Sequence, residues 1–304
     1  MIITARKGEW MEIIVPKEWH GLTTEDIFFH IWRASKKQVH LLRMNKEVRV
    51  NRRPAVWTKK LQTNDRLELR IFKEEKHDIA PVYMELDVIY EDDHLIVVNK
   101  PAGLDTHPNV PGETNTLANG LAFYLQAKGE NGRMKHIHRL DRGTSGAVLF
   151  AKHSFAGAIL DKMLQRREIE RMYWAVVHGI LKNDRGKIDR PIGRDRHHPT
   201  RRRISPTGDP AVTYYEVLRR YPEKNLTAVA CRLETGRTHQ IRVHFSSLGH
   251  PVIGDALYGG HGAIKHQALH AVQISFKHPF TMETIACTAE PPADFKKLLN
   301  EKSP

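Results

Sequence analysis

The chain has 304 residues, with 48 Lys and Arg against 35 Asp and Glu, a formal net charge of +13. Its 40% hydrophobic content excludes a disordered chain, no apolar run approaches the roughly 18 residues that span a bilayer, and the first residues lack a secretory apolar stretch. Two cysteines, Cys231 and Cys287, cannot build a disulfide framework, so the expectation is a reduced, cytoplasmic protein whose excess of cations suits a polyanion such as RNA or DNA.

Ile2–Arg6 and Met11–Val15 read as short strands. Thr23 and Thr24 precede two acids and then Ile27, Phe28, Ile31 and Trp32, which marks a helix start. Ser35 heads a second short helix through Val39 and Leu42. Val48–Val50 and Leu67–Ile71 alternate apolar and charged side chains, as strands do. These elements make a small unit, residues 1–72. The charged stretch Lys73–Pro81 reads as a linker between two independently folded parts, and residues 82–304 form the second.

In that second part, Val88–Tyr90 and Leu95–Asn99 flank the acidic turn Glu91–His94 as a hairpin. Leu117–Leu125 is expected to be helical and Ala147–Ala151 a buried strand. Ser154 is expected to cap a helix through Leu164, and Arg171–His178 to be a strand. Val212–Leu218 and Leu226–Leu233 form an antiparallel pair around Pro222. A helix over Thr238–Leu248, strands at Val272–Phe276 and Thr284–Cys287, and a closing helix at Phe295–Leu299 complete the reading. Strands and helices mix without regular alternation, which predicts an α+β fold.

Chemistry concentrates in three segments. In HIHRLDRGTSGAVLFAK (His136–Lys152), Asp141 lies between Arg139 and Arg142 and before a glycine-bounded turn that leads into a buried strand. A carboxylate held rigidly beside cations can serve as nucleophile or base; the plainer alternative is a surface salt bridge. Ser145 as a hydrolase nucleophile would need G-x-S-x-G, and Ala147 stands at the last position. The second segment, REIERMYWAVVHGIL (Arg167–Leu181), puts Tyr173 on an apolar strand, where it is either core or a face for stacking a base. The third, LETGRTHQIRVHFSSLGHPVIGDALY (Leu233–Tyr258), puts Arg237 at the expected start of a helix, a place suited to an anion or a carboxylate. The 19 histidines show no zinc-ligand spacing, and no phosphate-loop motif occurs. Arg194–Arg203, RDRHHPTRRR, reads as a basic loop that contacts phosphates, the plainer alternative being a solvated face.

These segments in this order resemble the RluA-type pseudouridine synthase family. The resemblance begins at VIYEDDHLIVVNKPAGLDTHP (Val88–Pro108) and runs through HRLDRGTSGAVLFAK and RMYWAVVHG to LETGRTHQIRVHFSSLGHPVIGDALYG (Leu233–Gly259). It implies a large mixed, mostly antiparallel sheet with flanking helices and loops, and the isomerisation of a uridine in structured RNA, ribosomal or transfer RNA, to pseudouridine by base flipping. Asp141 falls on the family's catalytic aspartate. Arg139 falls where an arginine fills the gap left by the flipped nucleotide, Tyr173 on the active-site tyrosine, and Arg237 on the basic residue that pairs with the aspartate. Whether Asp141 attacks the sugar, attacks the uracil ring or stabilises a sugar cation stays open. Residues 1–72 resemble, more weakly, the S-four-type RNA-binding domain.

The reaction neither oxidises nor hydrolyses, so no redox cofactor, nucleotide or metal is expected, and the partner expected is RNA, bound by a monomer away from membranes. One competing reading is a non-catalytic RNA-binding or ribosome-assembly factor. Another is a glycoside-cleaving enzyme, which needs a second carboxylate; Glu168 and Asp161 are the nearest in sequence.

Overall fold

The computed structural model describes residues 2–75, 79–130, 132–262 and 264–300. In the first seventy residues, β1 (Thr4–Lys7), β2 (Trp10–Ile14), β3 (Val48–Val50), β4 (Arg53–Pro54) and β5 (Arg66–Arg70) form one sheet in the order β1-β2-β5-β3-β4. Thr23 and Asp26 form a reciprocal capping box that opens α1 (Thr24–Asp26), which passes into a wide turn over Ile27–Ile31. Ser35 and Gln38 form a second box at the start of α2 (Lys36–Met44), whose Val39 and Leu42 face inward. Both starts match the sequence signals.

Ten further strands make the main sheet. They are β6 (Asp87–Glu91), β7 (Leu95–Lys100), β8 (Lys135–His136), β9 (Ser145–Ala151), β10 (Ile169–His178), β11 (Arg185–Asp189), β14 (Val212–Tyr221), β15 (Leu226–Leu233), β16 (Leu269–Lys277) and β17 (Thr284–Thr288). A separate hairpin, β12 (Ile192–Arg194) and β13 (Arg202–Ile204), brackets the basic stretch that the sequence offers as a loop. The order is β11-β14-β15-β10-β16-β9-β7-β6, with β8 on β9 and β17 on β16. Every pairing is antiparallel except β9 with β16, where Ser145 faces His270 and Gly146 faces Ala271. The α+β, mostly antiparallel expectation holds. At Gly146, φ is 116°, and a Cβ would sit 2.3 Å from the Ala271 carbonyl oxygen, so only glycine lets the two strands meet there. Ser145 Oγ, 2.8 Å from His270 Nδ1, fastens the same junction and is not free as a nucleophile.

Four helices flank the main sheet: α3 (Leu117–Ala127), α4 (Ser154–Gln165), α5 (Gln240–Ser247) and α6 (Ala293–Asn300). The α4 cap is His153, whose Nδ1 accepts the Ala156 N–H, and not Ser154. The expected helix over Thr238–Leu248 starts later, at Gln240. His239 there adopts a left-handed backbone, and the Gln240 side chain takes the Arg237 N–H at 3.0 Å, turning Gly236–His239 into a loop.

The two parts expected on either side of residues 73–81 pack against each other. Phe28 and Trp32 of the first part pack on Phe155 at 5.8 Å each, and Trp32 lies 5.8 Å from Phe280. One continuous apolar cluster holds Met11, Ile13, Phe28 and Trp32 together with Leu95, Val97, Leu160 and Phe276. Phe72 packs tilted against His94 and edge-on against His153, and the Ile2 N–H reaches the Thr281 carbonyl. Of the expected linker, residues 76–78 lie outside the described residues. A charged stretch looks like a linker because sequence shows its polarity and hides the aromatic faces that it joins.

Candidate active site

Asp141 sits in the loop between β8 and β9, and both of its neighbours are clamped. The buried Thr106 hydroxyl donates to the Leu140 carbonyl and accepts the Leu140 N–H, each at 3.1 Å. On the other side, the Arg142 carbonyl accepts the Gly103 N–H at 2.8 Å and the Lys100 ammonium at 3.2 Å. Lys100 is fully buried and also donates to the Pro101 and Leu104 carbonyls, at 3.0 and 2.6 Å. Burial pushes its pKa down to about 8, against the pull of Asp141 and Asp105. With three carbonyl acceptors, this lysine ties the Lys100–Leu104 turn to the loop that carries Asp141, which is a structural role. His138 accepts the Leu149 N–H, which folds the loop back onto β9.

The partner of the carboxylate is Arg242. Its Nη1 donates to Asp141 Oδ2 at 2.8 Å, while Nε and Nη2 grip Asp255 at 2.7 and 2.8 Å. Burial opposes this guanidinium, but Asp255 and Asp141 outweigh it and raise its pKa above the usual arginine range. The fork fixes Arg242, and Arg242 fixes Oδ2; among the described residues, Oδ1 accepts no hydrogen bond. This corrects the pairing expected for Arg237. That side chain donates to the Pro210 carbonyl at 3.0 Å and lies 3.9 Å from Asp209, because the Gly236–His239 loop turns it outward. Sequence reasoning missed Arg242, although it flanks the apolar stripe of Ile241 and Phe245 and could be set against the Asp255 of PVIGD.

Asp141, Arg139, Tyr173, Arg237, His239 and Arg242 line one small cavity of about 70 Å³. Tyr173 projects from β10, next to a bulge at Met172, and is 5% exposed. Burial pushes its phenol pKa up, and Asp141 adds to that. Arg139 is exposed at the mouth, 3.4 Å from the Thr238 hydroxyl. The cavity opens into a cleft of about 710 Å³ that shares Arg139, Arg171 and Arg237 with it and adds Arg167, Arg232 and Tyr214. All four sequence-predicted site residues thus meet in one place, though among the described residues the side chain hydrogen-bonded to the carboxylate is that of Arg242. The candidate second acids lie elsewhere: Glu168 pairs with Arg33 and Asp161 with Lys135. Asp255 is near, but its carboxylate is consumed by Arg242. The two-carboxylate reading therefore has no geometry to support it. Among the described residues, no group of three or more His, Cys, Asp or Glu side chains could hold a metal ion.

Comparison with known proteins agrees with this arrangement. Residues 94–247 match the RNA pseudouridylate synthase family, and residues 11–67 match the RluD ribosomal pseudouridine synthase N-terminal domain. The chain is 43% identical over 294 residues to a Bacillus subtilis (strain 168) protein named uncharacterized RNA pseudouridine synthase YhcT, covering 96% of this chain and 97% of that one. It is 38% identical over 253 residues to the ribosomal large subunit pseudouridine synthase D of Haemophilus ducreyi, covering 77% and 76%. Among solved structures, human RNA pseudouridylate synthase domain containing 4 shares the fold, with a TM-score of 0.58, 22% identity, and coverage of 70% of this chain and 91% of that one.

Proposed function

The chain belongs to the RNA pseudouridylate synthase family and is an RNA pseudouridine synthase, and from that premise we propose that its target is a uridine in large-subunit ribosomal RNA, with Asp141 carrying the chemistry. The observation that carries the assignment of Asp141 is its mounting. Two clamps hold the backbone on either side of it, Arg242 holds Oδ2, and among the described residues Oδ1 accepts no hydrogen bond, in a cavity that Tyr173 also lines. The ribosomal target rests on similarity to relatives named for the large ribosomal subunit and on the match of residues 11–67 to the RluD N-terminal domain.

The isomerisation breaks the bond from the ribose to N1 of uracil and rejoins the ring through C5, with the C5 proton leaving to solvent and N1 gaining one. Uridine must first leave its stack, at a cost of a few kcal/mol, roughly. Arg139, at the cavity mouth, is placed to fill the gap left behind. Tyr173 offers its ring as a wall for the base, and Oδ1 of Asp141 is the atom available to the reacting sugar or ring. Arg237 faces both the cavity and the cleft, where it suits a flanking phosphate. Arg194, Arg196 and Arg203 of the β12–β13 hairpin are exposed and extend this positive surface. No helix of the described residues is long and apolar enough to cross a membrane; a monomer acting on ribosomes in the cytoplasm completes the proposal.

Pseudouridine mapping of ribosomal and transfer RNA from cells lacking the gene tests this. A site lost from large-subunit RNA and restored by wild-type protein, but not by Asp141→Asn, is expected. Loss confined to transfer RNA would overturn the ribosomal target, and restoration by Asp141→Asn would overturn the role of Asp141.

A further inference from the structure

His239 faces the catalytic carboxylate, and its contacts leave one arrangement of protons. The Tyr258 hydroxyl oxygen accepts the Arg202 backbone N–H at 2.8 Å and lies 2.9 Å from His239 Nδ1. On the far side of the ring, Nε2 lies 3.9 Å from Asp141 Oδ2. A bare nitrogen lone pair pointed at a carboxylate oxygen is repelled, whereas an N–H is attracted. The carboxylate therefore selects the Nε2–H form, and the Tyr258 hydroxyl gives its proton to Nδ1. The backbone supports this aim at a cost. His239 has φ 59° and ψ 20°, a left-handed conformation that costs a non-glycine residue on the order of 1 kcal/mol and directs the ring into the cavity.

The same tyrosine joins the site to the basic hairpin. Arg202 opens β13, directly after the run of exposed cations, so the hairpin, Tyr258, His239 and Asp141 form one continuous chain of contacts. Tyr258 also lies against the Arg242 guanidinium, 5.0 Å from ring centroid to Cζ.

We propose that His239 is a positioning residue for this synthase: when RNA seats the β12–β13 hairpin, its Nε2–H closes on Asp141 Oδ2, so that Arg242 and His239 hold one carboxylate oxygen and leave Oδ1 to the substrate. The closure required is about 1 Å, from 3.9 Å to ordinary hydrogen-bond distance. The proposal rests on Asp141 carrying the chemistry. The charged and titratable groups facing the ring are Asp141, Arg242, Asp255, Arg202 and Tyr258. Burial holds the imidazole pKa below its usual value, and Asp141 opposes this.

Two measurements test it. Long-range proton–nitrogen correlation on the free protein reads the tautomer of His239 directly and needs no RNA. The Nε2–H form is expected, and the Nδ1–H form would overturn the proposal. Single-turnover tritium release from 5-tritiated-uridine large-subunit ribosomal RNA reads the consequence. His239→Asn tolerates the left-handed backbone but reaches only as far as Nδ1, and it should lower the saturated rate about ten- to a hundredfold with an unchanged dissociation constant. His239→Gln carries an N–H out to the Nε2 position and should recover most of that rate. Tyr258→Phe should lower it severalfold and mix the tautomers. Wild-type rate in His239→Asn, or failure of Gln to rescue at an unchanged melting temperature, would refute the role. If wild-type protein releases no tritium from this RNA, the ribosomal target fails, while the tautomer measurement still decides His239.

Discussion

Replacing Arg242 by lysine asks whether one guanidinium holds the loop that carries Asp141. Arginine makes three charge-assisted hydrogen bonds there, two to Asp255 and one to Asp141, all between 2.7 and 2.8 Å. Lysine keeps the charge but is a point donor, and it satisfies at most one of the two carboxylates with good geometry. Two such bonds lost, at about 1.5–3 kcal/mol each, come to about 3–6 kcal/mol. The Asp255 side chain is only 1% exposed, so water cannot replace what is lost. Breaking a buried pair independently suggests about 3–5 kcal/mol. At about 2–4 °C per kcal/mol, the melting temperature should fall by on the order of 10 °C. The saturated single-turnover rate should fall about a hundredfold, since Asp141 loses its fixed aim. Arg237→Lys is the control: its side chain is 40% exposed, and its ion pair to Asp209 spans 3.9 Å, so the stability change should stay within about 1 kcal/mol. Thermal melts of both variants, beside tritium release by Arg242→Lys, decide the matter. An Arg242→Lys protein that melts and reacts like wild type would show that the fork does not hold Asp141.

Acid should destabilise the fold through buried histidines. Burial holds His138 and His153 at about 3, below the unfolded value, so the unfolded chain takes up protons first; their contribution is complete above about pH 6.5 and is lost as pH falls toward 3. Denaturant midpoints from pH 7 to 4.5 should fall, and His153→Gln should make the fall shallower; an unchanged slope in that variant would rule out His153. A chain beginning near Ala80 should be poorly soluble or markedly destabilised, because Phe155 and Phe280 lose Phe28 and Trp32; a soluble fragment with a wild-type melting temperature would restore the modular picture. RNA affinity should weaken steeply with salt, and Arg196→Ala with Arg203→Ala should reduce the slope of log Kd against log salt by about 1–2. An equal slope would return the hairpin to a solvated face.

The main elements and the loop that carries Asp141 were legible because their signals are local. Glycines bound the turn after Asp141, apolar runs mark β7 and β9, and hydroxyls mark the starts of α1 and α2. The partner of Asp141 was not legible, because two arginines five residues apart, Arg237 and Arg242, look equivalent until the start of α5 is known. That start depends on the left-handed turn at His239 and on the Gln240 side chain, which accepts from the Arg237 N–H and the Thr235 hydroxyl. Thr106 was hidden for a related reason: it holds a backbone carbonyl and amide, and no side-chain pattern records such contacts. The shared core escaped because Trp32 and Phe280 lie far apart in sequence.

That shared core bears on how the protein is made. Synthesis runs from the N-terminus, so Phe28 and Trp32 emerge early, while Phe280, which Trp32 meets edge-on, is among the last aromatic residues to follow. The Thr281 carbonyl that receives the Ile2 N–H comes later still. The first sheet therefore leaves the ribosome with one apolar face uncovered; Phe155 and Leu160 of α4 supply part of the cover midway, and Phe276 and Phe280 complete it only when nearly the whole chain is out. During that interval the face is a binding site for a chaperone and a hazard for self-association. Folding waits on contacts between the two ends of the chain, the slow, high-separation kind, so a late step in the life of this enzyme is the arrival of β16 and the turn after it, which completes the packing between the first part and the main sheet.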